Sequence, residues 1–327
     1  MLMDARKKSG LLEAGGVEID DSFRPYLSRS TAGPGAGLES FFFNSGGLRV
    51  RLGVKESSPF RAAMRGNEVI IFKDGEEFAS GVLEEAISHC PGQVYVTVSE
   101  RCVFDCKYCP VPKLDGRIKT DEEVLKMAVA GSKHPSFHAI SLTSGVWTSP
   151  EEEVERVARI VRQLKAELDV PVGVSVYPTD DSSEVLREAG ASEVKYNVES
   201  IDPEVFEKVC PGLSLDYVVE ALEHAVSVFG KNHVFTNIII GMGESDETVI
   251  AGMEMLAGKG VIPILRKINP HPLRAGEHHV EKVTSERLLK LATAEREILD
   301  RHGLRADLAL TGCLPCTGCD LVPHRDV

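Results

Sequence analysis

The sequence is poor in aromatic residues and has no long apolar run. Phe, Trp and Tyr make up 6% of the 327 residues, and there is a single Trp. No stretch approaches the roughly 18 apolar residues of a membrane helix, and the first residues lack the apolar core of a signal peptide. We therefore expect a soluble, cytoplasmic protein with no membrane partner.

Positive charge is also scarce. The chain carries 37 Lys and Arg against 50 Asp and Glu, which gives a formal net charge of −13. Binding to a nucleic-acid backbone needs a basic face, so we expect no nucleic-acid partner. The hydrophobic content of 43% supports a sizeable core. The length suits one α/β barrel with small additions.

Cysteine is present in a pattern that needs explanation. Six of the eight cysteines fall into two triplets, spaced C-x3-C-x2-C and C-x2-C-x2-C. The triplets are Cys102, Cys106 and Cys109, and Cys313, Cys316 and Cys319. In a reducing compartment, such clustering indicates metal binding rather than disulfides.

Three thiolates at one site suggest an iron–sulfur cluster with an open position. A 4Fe–4S cluster has four irons, usually with one thiolate each, so a triplet leaves one iron free. A zinc site closed by a distant ligand is the alternative, and His324 or Asp320 could complete it at the tail. Cys90 and Cys210, each followed by Pro-Gly, could also supply a ligand. Isolated cysteines of this kind are more often small buried apolar residues.

The N-terminal part predicts a small β-rich element. The chain looks loosely organised to about residue 40, and TAGPGAGLES (31–40) has the composition of a linker. Residues 48–54 alternate like a strand, and Asp74-Gly75 is a two-residue hairpin signal. We assign residues 1–92 to this element, partly flexible at first and then β-rich, without assigning it a role.

Strands and helices alternate from residue 93. Strand segments rich in valine and isoleucine start near residues 93, 138, 170, 193, 233 and 263. Between them, Thr120 and Ser149 open capping-box patterns, and Asp202 precedes a proline at a helix start. This alternation predicts a parallel sheet. Periodicity does not distinguish a doubly wound sheet from a barrel.

The first triplet resembles the signature of a known family. Cys102, Cys106 and Cys109, with Tyr108 before the last cysteine, resemble the C-x3-C-x-aromatic-C motif of radical S-adenosylmethionine (SAM) enzymes. The resemblance implies a partial (β/α)6 TIM-like barrel over residues 93–310, with the cysteine loop after its first strand. It also implies a 4Fe–4S cluster whose open iron binds SAM and cleaves it to a 5′-deoxyadenosyl radical.

The same resemblance implies contacts with SAM at the strand ends. The implied contacts are Tyr108, Ser144, Gly145, Asn197, Glu199, Gly241 and Glu244. Tyr108 and the glycine element lie near the adenine in the family, and Glu199 or Asn197 matches the polar residue that holds the ribose. Val146 and Asn237 depart from the usual motifs. No side chain is assigned a catalytic acid–base role, because the radical arises at the cluster.

The tail, residues 311–327, suggests a second 4Fe–4S cluster with an unknown fourth ligand. In the family such clusters relay electrons, anchor substrate or donate sulfur. YNVES, NIIIGMGE and the NP-x-P loop resemble the biotin-synthase-related branch, and within it the archaeal two-component lipoyl synthases. The N-terminal cysteine motif and C-terminal Arg-Ser-Ser of the common lipoyl synthase are absent.

This resemblance implies sulfur insertion into an octanoyl group on a carrier protein. It further implies a low-potential ferredoxin or flavodoxin as electron donor and a paralogous second component. A radical SAM mutase or methyltransferase acting on a small metabolite is the second hypothesis. An iron–sulfur electron-transfer protein and a zinc-stabilised structural module are the others.

Overall fold

The computed structural model describes residues 1–29 and 37–327, so residues 31–36 of the predicted linker lie outside the described part. Two β-sheets organise these described residues, one mainly antiparallel and one parallel. None of the helices described in them is both long enough and apolar enough to cross a bilayer.

The N-terminal sheet is built mostly from antiparallel neighbours. Its elements are α1 (Ala5–Ala14), β1 (Gly16–Val17), β2 (Ser28–Arg29), β3 (Glu39–Ser45), β4 (Leu48–Val54), β5 (Phe60–Arg65), β6 (Glu68–Lys73) and β7 (Glu76–Glu84). The strand order is β1-β4-β3-β7-β6-β5, with β2 on β3. Asp74 and Gly75 join β6 to β7 with positive φ angles of 51° and 89°, as the hairpin signal predicts.

The first residues differ from the loose organisation expected from the sequence. Helix α1 begins after Asp4, whose side chain accepts a hydrogen bond from the Lys7 amide. Leu11 and Leu12 are buried against the rest of the protein. The segment ARKKSG puts three basic residues in the first turns, where they oppose the helix dipole. Tertiary packing therefore stabilises a helix that local sequence signals do not predict.

The second sheet contains the six strands expected after residue 93. The elements are β8 (Gln93–Thr97), α2 (Asp121–Gly131), β9 (Ala139–Thr143), α3 (Pro150–Glu167), β10 (Val172–Ser175), α4 (Ser182–Ala189), β11 (Glu193–Lys195), α5 (Pro203–Val209), α6 (Leu215–Phe229), β12 (Val234–Ile240), α7 (Asp246–Gly258), β13 (Ile262–Lys267) and α8 (Ser285–His302). All neighbours are parallel, in the order β13-β12-β11-β10-β9-β8. This curled half-barrel confirms the predicted α/β partial-barrel fold.

The two faces of the strands have different surroundings. Val94 and Val96 pack in the main hydrophobic core with the surrounding helices. Tyr95, Ser141 and Lys195 instead line a cavity inside the barrel. Alternate residues of a strand point to opposite faces, so the exterior layer is apolar, while the interior mixes these polar residues with apolar ones such as Phe235 and Ile264.

The helix starts follow most of the sequence signals. Thr120 and Glu123 form the complete capping box at α2. At α3, Ser149 accepts the hydrogen bond from the Glu152 amide, but the Glu152 carboxylate binds the Thr148 hydroxyl instead. The second predicted capping box is therefore only half formed.

The tail enters the barrel at the N-terminal ends of its strands. The Thr311 amide and hydroxyl donate to Glu193 at 2.9 and 2.6 Å. The Gly312 amide donates to the Gln93 side chain at 2.8 Å. A Cβ on Gly173 would lie 1.9 Å from the Thr311 hydroxyl, so glycine is required there.

Beyond this anchor the tail lies between the two edges of the half-barrel. It forms the short helix α9 (Cys313–Cys316). Cys313 lies near Tyr95 on β8 and Arg266 on β13, the first and last strands of the sheet. The Arg51 amide on β4 donates to the Gly318 carbonyl at 2.7 Å. The N-terminal sheet therefore covers the tail in the opening of the barrel.

Candidate active site

The first cysteine triplet lies on the loop that follows β8. The Cys102 thiol accepts a hydrogen bond from the Val146 amide at 3.5 Å, which links it to the loop after β9. The Lys107 amide donates to the Val209 carbonyl at 2.8 Å. These contacts hold the loop at the C-terminal ends of the strands, where barrels of this kind place their chemistry.

A buried arginine from the other side of the barrel also holds this loop. The Arg274 Nε donates to the Cys109 carbonyl at 2.7 Å. Its other nitrogens form ion pairs with Asp105 and Glu277, each at 2.7 Å. Arg274 lies in the loop after β13, and its side chain is fully buried. The sequence gives little signal for this contact, because Arg274 lies far along the chain in a proline-rich loop.

The three thiols have different electrostatic surroundings. Burial raises the pKa of Cys102, and it raises the pKa of Cys109 to about 12. A hydrogen bond with Cys210 lowers the pKa of Cys106. Cys106 therefore loses its proton most readily of the three.

Tyr108 and Glu199 meet inside the barrel beside this loop. Tyr108 is 5% exposed and packs with Ile239 and Met242 at the end of β12. Glu199 adopts a positive φ of 58°. Burial raises the pKa of Glu199, while the charge of Lys195 and a hydrogen bond with Tyr108 oppose that rise. The carboxyl group expected near the ribose thus lies beside the first cysteine loop and is only partly exposed.

Polar contacts continue from Asn197 toward the last strand. The Asn237 amide donates to the Asn197 side-chain oxygen at 3.3 Å. Arg266 Nε donates to the Asn237 side-chain oxygen, also at 3.3 Å. Asn197 and Glu199, the two expected ribose ligands, therefore belong to one polar network across the interior.

Ser144 and Gly145 hold the neighbouring loops together. The Ser144 hydroxyl accepts from the Ser99 amide at 3.0 Å and donates to Glu153 at 2.5 Å. The Gly145 amide donates to the Ser99 carbonyl at 2.9 Å. A Cβ on Gly145 would lie 2.2 Å from the Arg101 carbonyl oxygen. The Ser144 side chain is therefore engaged within the protein.

Glu244 is likewise engaged within its own loop. Its carboxylate accepts from the amides of Gly241 and Met242 at 2.6 and 2.9 Å. It also pairs with Arg287 at 3.0 Å. Gly241 has a φ of 99°, and a Cβ there would lie 2.7 Å from Val283. Glu244 and Gly241 therefore fix the conformation of the loop beside Tyr108.

The second triplet lies between the barrel and the N-terminal sheet. Cys316 packs with Cys90 and Phe42 in one small buried cluster. A hydrogen bond with Cys90 lowers the pKa of Cys316 to about 7. Burial raises the pKa of Cys319 to about 11. The structure thus brings together the tail cysteines and a thiol that the sequence left unassigned.

Buried cations surround this second site. The Lys8 ammonium donates to the Thr317 carbonyl and to Asp326, both at 2.6 Å. Arg49 donates to the Cys316 carbonyl at 2.9 Å. Lys8 was missed by sequence reasoning, because nothing local distinguishes it from the neighbouring basic residues.

The donor chemistry of both sites fits iron–sulfur clusters. Across residues 1–29 and 37–327, no three His, Cys, Asp or Glu side chains converge as ligands of one metal ion. A 4Fe–4S cluster does not need such convergence, because each thiolate binds its own iron. The thiols are the ligands that iron–sulfur clusters take, and a buried cation lies beside each set.

The fold and the cysteine loop define a barrel protein with a three-thiol site at the C-terminal ends of its strands. Residues 96–256 match the model of the Radical SAM superfamily. The chain belongs to this superfamily. The superfamily carries a 4Fe–4S cluster and SAM, and the first triplet is the set that would hold the cluster.

The chain is also similar to curated proteins and solved structures. The chain is 22% identical over 265 residues to a bacteriochlorophyllide c C-7(1)-hydroxylase of Chlorobaculum limnaeum, covering 64% of the chain and 65% of that protein. It is 24% identical over 175 residues to a GTP 3′,8-cyclase of Nautilia profundicola, covering 51% of the chain and 53% of that protein. The crystal structure of methylornithine synthase matches with a TM-score of 0.53 and 21% identity, over 67% of the chain and 74% of that protein.

These relatives differ in the reactions that their names state. The chain spans about half to two-thirds of the length of the two curated relatives. The likeness to methylornithine synthase shows the fold alone, because its identity is 21%. The reaction and the substrate of this chain therefore have to be argued from its own residues.

Proposed function

We propose that the protein inserts sulfur into an unactivated C–H bond, with a second 4Fe–4S cluster on the tail cysteines as the sulfur source. The proposed substrate is an octanoyl group on a carrier protein. A paralogous component would perform the other insertion, and a low-potential ferredoxin or flavodoxin would supply electrons. This proposal extends the resemblance of the sequence to lipoyl synthases. None of the three relatives described above is named as a lipoyl synthase.

The observation that supports this proposal is that both cysteine sites adjoin one barrel interior. Glu199 lies beside Tyr108 of the first loop, and the charge of Arg266 acts on it. Arg266 also lies beside Cys313 and Cys319 of the tail. One side chain therefore connects the surroundings of the two sites, and a substrate between them would face both.

The chain's residues have separate tasks in this reaction. A cluster held by Cys102, Cys106 and Cys109 would supply the electron for the cleavage of SAM, and a cluster held by the tail cysteines would supply sulfur for the substrate carbon. Tyr108 and Glu199 would hold SAM at the first loop. Arg274 would keep that loop in place, and Lys195 with Arg266 would line the path to the tail.

The barrel interior next to the tail is nearly filled, which supports entry of the substrate from the opposite end of the barrel. A cavity of about 30 Å³ lies among Tyr95, Lys195 and Cys313. This is room for roughly two waters, since each needs about 10–15 Å³. The substrate would therefore approach from the C-terminal ends of the strands, past the first cysteine loop.

A second candidate is radical chemistry on a small anionic metabolite, with the tail cluster as an electron relay. Two cationic residues of the interior strands, Lys195 and Arg266, favour this candidate, because they would attract an anionic group. A mutase or a methyltransferase would fit this description. The second cluster would then survive turnover intact.

The test uses anaerobically reconstituted full-length protein with SAM, a reductant and an octanoyl-lysyl peptide. We expect 5′-deoxyadenosine together with a peptide that has gained sulfur, measured by mass spectrometry. Clusters rebuilt with isotopically labelled sulfide should transfer that label to the peptide. The matched variant, with Cys313, Cys316 and Cys319 replaced by alanine, should still cleave SAM but add no sulfur. SAM cleavage by the unmodified protein without labelled product would remove sulfur insertion and leave the relay candidate.

A further inference from the structure

Cys90 lies in the turn that leads into the first barrel strand. Its side chain is 1% exposed. The Ile87 amide donates to the Cys90 carbonyl at 3.2 Å, and Cys90 forms an isolated β-bridge with Gln93. The backbone of this cysteine is therefore fixed on both sides.

The same turn is tied to the residue before the tail triplet. Gln93 Nε2 donates to the Gly312 carbonyl at 3.0 Å, while its side-chain oxygen accepts from the Gly312 amide at 2.8 Å. The amide side chain thus binds Gly312 as a neighbouring strand would. Cys313 follows directly, so its position is linked to that of Cys90.

The far side of the triplet is tied to the N-terminal sheet. Phe42 packs against both Cys90 and Cys316. A Cβ on Gly318 would lie 2.6 Å from the Phe42 ring, so the chain passes at the closest distance that glycine permits. The hydrogen bond from Arg51 to Gly318 fixes this approach. Cys316 is thereby held against Cys90, and Cys313 and Cys319 lie near enough for their charges to act on it.

We propose that Cys90 completes the second site by supplying the fourth thiolate of its 4Fe–4S cluster. The full set of ligands is Cys90, Cys313, Cys316 and Cys319. This inference rests on the second cluster that the proposed function requires, but not on the identity of the substrate.

The other candidates for a fourth ligand are engaged elsewhere. His324 accepts from the Ala306 amide at 3.3 Å with one ring nitrogen and binds Asp300 at 3.1 Å with the other. Asp320 forms an ion pair with Arg266 at 3.0 Å. Cys210, the second cysteine in a Cys-Pro-Gly sequence, packs with Cys106 and Tyr108 at the first site.

The charges around the site match a fully thiolate-bound cluster. Four thiolates give such a cluster a net negative charge, which is costly to bury without compensation. Lys8, Arg49 and Arg266 supply positive charge around the tail. Four protein ligands also leave no iron free, so the cluster would not anchor substrate through an open position. Sulfide donation and electron relay remain as its uses.

The test isolates the second site. In a Cys102/Cys106/Cys109→Ala background, the reconstituted full-length protein should bind about four irons, all at the tail. Adding Cys90→Ala should lower this to about three or fewer, with the electron paramagnetic resonance signal of a 3Fe–4S cluster. Adding Cys210→Ala, in the other Cys-Pro-Gly sequence, should change neither quantity. Cys90→Ser, which keeps an oxygen ligand, should retain iron but shift the spectrum of the reduced cluster.

The other possible outcomes show whether the role of Cys90 or the second cluster itself is wrong. About four irons and an unchanged spectrum in both Cys90 variants would overturn the role of Cys90 while leaving the second cluster intact. A background protein that binds zinc, or no metal, would overturn the second cluster itself. Far-ultraviolet circular dichroism on every variant separates ligand loss from unfolding, and the serine variant provides the comparison if the alanine variant unfolds.

Discussion

The two cysteine sites of this protein are built from very different lengths of chain. At the first, three thiols lie within eight residues of one loop, as CVFDCKYC shows directly. At the second, the tail cysteines meet Cys90, more than two hundred residues earlier in the chain. The first site is local and is covered by the barrel's own loops, whereas the second needs the N-terminal sheet to enclose it. Spacing in the sequence therefore reveals all three thiols of the first site, but only the triplet and not Cys90 at the second.

Each site is nevertheless held by a buried cation that contacts a backbone carbonyl. Arg274 reaches Cys109 across 165 positions, and Lys8 reaches Thr317 across 309. Both side chains are 0% exposed. The comparison is thus between a local triplet with one distant support and a local triplet that also needs a distant thiol and the N-terminal sheet.

The largest expected effect comes from removing these two cations in turn. Lys8→Met leaves Asp326 buried without its partner, which typically costs about 3–5 kcal/mol of stability. We expect the second cluster to be lost and the first to be kept. Arg274→Met should do the reverse, because it releases the Cys109 carbonyl. Iron content and electron paramagnetic resonance after reconstitution measure both sites in one sample.

Lys113→Met is the matched control for this pair. Lys113 also binds Glu277, but it contacts Leu273 rather than the cysteine loop. It should leave both clusters in place. If either cation variant lost both clusters equally, the two sites would form one cooperative unit and the comparison would fail.

A smaller effect is expected from Glu199→Gln at the first site. Loss of a charged hydrogen-bond acceptor for the ribose should raise KM for SAM about tenfold, with less effect on kcat. Because burial raises the pKa of Glu199, the wild-type carboxylate becomes protonated as the pH falls through that raised value. KM for SAM should therefore rise at acidic pH in the wild type and stay flat in the variant. Glu204→Gln, at an exposed position, is the control, and an unchanged KM in Glu199→Gln would exclude the ribose contact.

The smallest effect is a gain of stability near the second site. Glu295 on α8 is fully buried, and neither carboxyl oxygen has a hydrogen-bond partner among the described residues. Burial raises its pKa well above the ordinary value of 4.5, and Asp320 adds to the rise. A carboxyl group with a raised pKa in the folded state costs no stability below pH 4.5, and the cost grows as the pH rises toward the folded pKa.

We therefore expect Glu295→Gln to stabilise the protein at neutral pH by about 1–3 kcal/mol. The difference should vanish below pH 4.5, where the wild-type carboxyl is protonated in both states. Thermal unfolding of the cluster-free protein between acidic and neutral pH measures it. Glu297→Gln, at an exposed position on the same helix, should change little. A destabilised Glu295→Gln at neutral pH would show that this carboxylate has a partner.

The features that the sequence predicted correctly depend mostly on residues that are close together in the chain. The strands of the barrel, the Asp74-Gly75 hairpin and the Thr120 capping box follow from patterns a few residues long. Helix α1 and the Arg274 contact depend on packing between distant segments, which no short pattern encodes. The fourth thiol at the tail was one of two equivalent Cys-Pro-Gly candidates, and only the fold brings Cys90, rather than Cys210, to it.

The contact between Lys8 and Thr317 also affects when each cysteine site can form during synthesis of the chain. Lys8 precedes Thr317 by 309 residues, so helix α1 emerges from the ribosome long before the carbonyl that its lysine binds. The loop of the first triplet is complete when about a third of the chain has been made. The second site does not exist until the tail has been made and has entered the barrel. The thiols of the first triplet are therefore together on one loop long before the parts of the second site can meet.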